Sequence, residues 1–182
     1  MIEKKNYRHN EVISLPDGYI NGQGRGNVSK MKYGLFPMSF NGCEVIAVYN
    51  LMYSIGRKAE LRDVAKEIYP YASVLMGLFG SAPKKLKRYL DEHGIKYRRS
   101  TDFDGFEKDF ACSESALVSF WAKLKNGFYG IHTVFIRNDS GTVRVYNCTN
   151  GNQTPVNHKS LKDFLPNGKH LIVSFCFGEK SK

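Results

Sequence analysis

The apolar positions of this 182-residue chain change period once, near its middle. In the first half they recur at helical spacing. Val45, Ile46, Ala47, Val48, Leu51, Met52 and Ile55 are apolar nearly all round, which predicts a helix running into a core, with Gly56 as its stop. Leu61, Val64, Ala65 and Ile68 predict a second helix over 60–69, ended by Pro70. The apolar stretch 72–79 reads as a short helix or packed turn. Leu86, Tyr89 and Leu90 give the inner face of a helix from Pro83 to His93, closed by Gly94. Before these, residues 1–33 are polar and rich in Gly and Asn. They form an arm, with an edge strand over 12–16 and a flexible loop at Gly22-x-Gly24-x-Gly26.

The second half alternates instead. A short strand is predicted over 95–99 and a short amphipathic helix over 102–110, with Phe103, Phe106 and Phe110 on one side. Residues 116–121 and 130–137 read as strands, and 138–141 as a turn. Residues 142–148 return as a strand antiparallel to 130–137. One helical turn over 160–165 and a last strand over 170–177 complete the chain. Helices followed by an antiparallel sheet define an α+β class, with residues 34–182 as a single domain behind the 1–33 arm.

Composition narrows the partners. Hydrophobic residues make up 42%, ordinary for a globular domain, and no apolar run is long enough to span a membrane. The N-terminal residues lack the apolar core of a signal peptide, so the expected setting is cytoplasmic, with thiols reduced. Net charge is +10. That charge would attract acidic peptides, nucleic acid or anionic surfaces; its densest runs are 84–88, which reads as the solvated face of a helix, and 96–99, and basic clusters alone are a weak nucleic-acid motif. Cys43, Cys112, Cys148 and Cys176 are far apart, which argues against a cysteine-rich metal site.

The candidate chemistry starts at Asn41-Gly42-Cys43-Glu44. Asn41 with Glu44 is a capping-box pattern, and Phe40 with Val45 a hydrophobic staple. Cys43 then falls in the first helical turn, where backbone N–H groups favour a thiolate of lowered pKa. His132 enters the strand 130–137, and the hairpin returns Asn147 to its neighbourhood. A carboxamide there accepts an imidazole N–H and leaves the other ring nitrogen for the thiol. Cys43, His132 and Asn147 thus have the roles of nucleophile, base and orienter, with Asn150 the rival orienter.

Asn41-Gly42-Cys43 opening an apolar helix, Gly130-Ile131-His132 opening a strand and Tyr146-Asn147 closing the next resemble a papain-like cysteine peptidase. The size and the helix-then-sheet order are similar to the bacteriocin-processing, double-glycine leader peptidase branch. The resemblance covers roughly residues 34–177. It implies a papain-like fold, a peptide or protein substrate, thiolate attack on a peptide carbonyl and no metal or organic cofactor. One departure stands out: papain-like enzymes carry an oxyanion-hole Gln six residues before the Cys, and Pro37 stands here. The remaining oxyanion candidates are the Cys43 N–H, Asn41 and Ser39. The alternative is a non-catalytic papain-like module that binds acidic peptides or nucleic acid.

Overall fold

A computed structural model of the chain describes residues 2–72, 82–123, 127, 129–168 and 170–180. Most of the apolar stretch 72–79 lies outside them. The sheet is built from β3 (Arg98–Ser100), β4 (Ser115–Lys123), β5 (Tyr129–Asp139), β6 (Thr142–Tyr146), β7 (Val156–His158) and β8 (Leu171–Phe177). They lie in the order β3-β8-β4-β5-β6-β7, with every pairing antiparallel. Helices precede the sheet, and the class is α+β, as the pattern predicts.

Side chains alternate across the sheet. Leu117, Phe135, Tyr146, Val173, Phe175 and Phe177 join one core, shared with α3 (Cys43–Ser54), α4 (Leu61–Ala72) and α5 (Leu86–Glu92). Ala116, Val118, Val134, Ile136, Val143, Val145 and Cys176 join the other, closed by α6 (Phe103–Ala111) and α7 (Leu161–Phe164). With both faces covered, the inner strands read as continuous apolar runs. The helices on the second face are capped by Asp102, which accepts from Gly105 N, and by Ser160, which accepts from Asp163 N. The β5–β6 hairpin turns on Ser140 and Gly141, both at positive φ, the two-residue geometry that matches strand twist.

Helix α3 forms as expected and is buried along Val45–Met52. Its Val45, Ile46, Val48 and Leu51 are fully covered, each contributing about 1.5–3 kcal/mol by leaving water. Pro70 lies inside α4, two residues from its end, rather than after it.

Residues 2–33 depart most from the pattern. Residues 12–16 form no strand, and Val12 is 85% exposed. Instead Ile2–Glu11 form a helix, α1. Its buried side is polar: Asn6 donates to Gly34 O, and Asn10 exchanges two bonds with the backbone of Lys32 in β1 (Lys32–Tyr33). β1 pairs with β2 (Phe36–Pro37). Farther along, Asn50 of α3 exchanges two bonds with the backbone of Ile20. Ile20, Val28, Met31 and Tyr33 enter the helix-side core, so the arm is part of that core. Among the described residues no helix is long and apolar enough to cross a membrane.

Candidate functional site

Cys43 is the first residue of α3, but the predicted caps do not form. A four-residue helix, α2 (Met38–Asn41), comes first, and Gly42 takes the N-cap without a side-chain bond. A Cβ on Gly42 would meet the Met38 main-chain O at 2.6 Å, so glycine is required at this junction. Asn41 is buried and donates to Tyr33 O at 3.1 Å. Phe40 is 63% exposed and packs on Phe36 rather than stapling Val45.

The Cys43 thiol is buried. Its sulfur receives backbone hydrogen bonds from Thr133, from Glu44 and from its own peptide, which favour the thiolate. Burial outweighs them and pushes the thiol up to about 11, against an ordinary 9.0. The lowered pKa expected from the helix N-terminus is therefore not found, because desolvation exceeds the stabilisation by these dipoles.

The Thr133 bond follows from sheet register. Residues 135–139 of β5 pair one by one with β6, the last being Phe135 opposite Tyr146. Continued by two, the ladder would set Thr133 opposite Cys148. At Asn147 the backbone turns left-handed, with φ +57°, and β6 leaves the ladder. The Cys43 sulfur meets the vacated Thr133 position.

His132 faces the α6–α7 side, in step with Val134 and Ile136, and its ring stands edge-on to Phe120 at 5.9 Å. Nε2 lies 2.8 Å from the Asn147 main-chain O. A carbonyl only accepts, so Nε2 carries the hydrogen and Nδ1 keeps its lone pair. Burial holds the imidazole below its ordinary pKa, partly opposed by the backbone of Asn147 and Cys148; the Cys43 thiol does not enter. Thiol and imidazole thus flank one peptide unit, that between His132 and Thr133, without touching.

Asn147 orients His132 through its carbonyl and not through its carboxamide. The carboxamide is fully buried and closes a ring with Gln23: Gln23 N donates to Asn147 Oδ1 at 2.9 Å, and Asn147 Nδ2 donates to Gln23 Oε1 at 3.0 Å. Asn150, the rival, donates to Ser39 O at 2.8 Å and does not reach His132. Ser39 is thereby held through its main chain, which also accepts from Gln23 Nε2 at 3.1 Å. Pro37, at the position of the usual oxyanion glutamine, is exposed and caps α2.

Gln23 is the residue that sequence reasoning missed. The loop around it is docked rather than free. A Cβ on Gly22 would meet Asn152 O at 2.3 Å, and one on Gly24 would meet Asn150 O at 3.0 Å. The glycine spacing read as flexibility records this close approach.

The chain matches no protein-family model and no curated protein.

Proposed function

We propose that the chain is a papain-like cysteine peptidase with Cys43 as nucleophile and His132 as base. The observation that carries the reading is the seat of the sulfur. It lies at the N-terminus of a buried 12-residue helix, under backbone N–H groups, beside the peptide unit that bears His132. His132 Nδ1 is left as the basic nitrogen by the Nε2–H bond to Asn147 O.

In the proposed reaction the thiol proton passes to Nδ1 as the sulfur attacks a peptide carbonyl. The carbon–nitrogen bond breaks, and the imidazolium returns its proton to the leaving amine. Water then attacks the thioester, giving a proton to the imidazole, and the sulfur leaves and recovers that proton. The Cys43 N–H is the oxyanion donor, with Ser39 the remaining side-chain candidate; Asn41 is committed to Tyr33 O. The resting pair is neutral, since burial raises the thiol and lowers the imidazole. Proton transfer then accompanies attack, and it requires the imidazole and the sulfur, which do not interact at rest, to come together. A cytoplasmic setting suits the four free cysteines.

The second reading, a non-catalytic papain-like module for acidic peptides or nucleic acid, is favoured by the same neutral thiol and by His132's bond to main chain. Hydrolysis of a peptide library separates the two. The peptidase reading expects cleavage that Cys43→Ala abolishes and His132→Gln slows at least about a hundredfold. Wild type that binds peptides and cleaves none, with Cys43→Ala binding equally well, would establish the module instead.

A further inference from the structure

The arm sends one buried side chain between the two halves of this site. Gln23 Nε2 donates to Ser39 O, four residues before Cys43, and Gln23 Oε1 accepts from Asn147 Nδ2. The Gln23 main-chain N–H donates to Asn147 Oδ1, and Asn147 N donates to Asn21 Oδ1 at 3.2 Å. Both carboxamides are almost wholly buried, so each bond is made out of water.

We propose that Gln23 is a positioning residue. Its carboxamide couples the segment leading to Cys43 to the residue that fixes the His132 tautomer. The proposal rests on the reading of Cys43 and His132 as nucleophile and base. The bonds to Gln23 hold Asn147 in its left-handed conformation, at φ +57°, a region that residues other than glycine seldom adopt without local support. That conformation turns the Asn147 carbonyl onto His132 Nε2, 2.8 Å away. Fastening the loop needs none of this, because Gly24 N to Asn150 O and Arg25 to Gly151 O already tie the arm down. What Gln23 adds is a defined orientation of Asn147, and through it a defined basic nitrogen.

The test reads the imidazole directly, with no substrate present. Nitrogen NMR of ring-labelled histidine in the full chain should show His132 as the Nε2–H tautomer. Gln23→Met keeps the length and apolar bulk of the side chain but loses both carboxamide bonds. It should lower the ratio of Nε2–H to Nδ1–H tautomer roughly fivefold, about one net hydrogen bond. Gln23→Glu keeps an acceptor for Asn147 Nδ2 and should retain the wild-type tautomer. If Gln23→Met fails to fold, Gln23→Asn serves: one methylene shorter, it cannot span Ser39 and Asn147 together, and the ratio should fall as well. An unchanged ratio in the folded Met or Asn variant, or a Glu variant that shifts as far as Met, overturns the proposal. A shifted tautomer in a protein whose wild type cleaves no peptide refutes the peptidase and leaves Gln23's hold on His132 standing.

Discussion

Cys43 shows two opposed effects on one group. Three backbone hydrogen bonds favour the thiolate, and burial favours the thiol more, leaving a pKa of about 11. Alkylation by iodoacetamide under native conditions should therefore be faster at exposed Cys112 than at Cys43 at neutral pH. The Cys43 rate should climb until about pH 11. A Cys43 that reacts first, with its rate levelling off below pH 9, would contradict this. Asn147 carries a second residue-scale prediction. Asn147→Ala strands the partners of a buried carboxamide and leaves a Cβ at positive φ without the polar side chain that lets asparagine tolerate it. It should cost about 1–3 kcal/mol in chemical denaturation. Asn147→Gly relieves the backbone part and should cost less; equal losses would show that backbone strain plays no part. The importance of residue 147 is legible in the hairpin, because its position follows from strand length. Its mode of action is not, because a main-chain carbonyl has no signature in residue type. Gln23 is illegible for a related reason: its partner Asn147 lies 124 positions along the chain.

At the scale of elements, apolar period found those that bury apolar faces. Helix α3, strands β4, β5 and β8, and the β5–β6 hairpin follow it closely. Leu51→Ala in α3 should cost about 2–5 kcal/mol by thermal or urea unfolding, since its side chain is fully buried against the sheet. A cost below 1 kcal/mol would mean that α3 does not anchor the helix-side core. Helix α1 escaped the same reading because it docks through Asn6 and Asn10 on backbone carbonyls, and hydrophobic period does not register polar docking. The short edge strand β7, Val156–His158, escaped for want of length. Phe40 and Val45 had the spacing of a staple, but α2 inserts a turn before Gly42 and sends Phe40 to the surface.

On the scale of the whole molecule, the buried titratable groups set a window of stability. His132 is held below 6.5 in the fold, so acid protonates the unfolded chain first. Its contribution is present above about pH 6.5 and is lost as pH falls toward the folded value. Cys43 and Cys176 are raised to about 11 and about 12, so theirs is present below 9 and is lost as pH rises toward those values. The melting temperature should fall on both sides of this window. His132→Phe should flatten the acid limb and Cys176→Ala the alkaline one; unaltered limbs in both would contradict the burial described here. The arm belongs to this whole, since it enters the core at Ile20 and reaches the site at Gln23. The central claim, that Cys43 attacks a carbonyl with help from His132, is tested most directly by intact-protein mass spectrometry on reaction with an activated peptide ester. The account predicts an acyl adduct that peptide mapping locates on Cys43, absent from Cys43→Ala and formed at least about a hundredfold more slowly by His132→Gln. A wild type that gains no adduct, or gains it on Cys112 at the same rate in the His132→Gln variant, would contradict it.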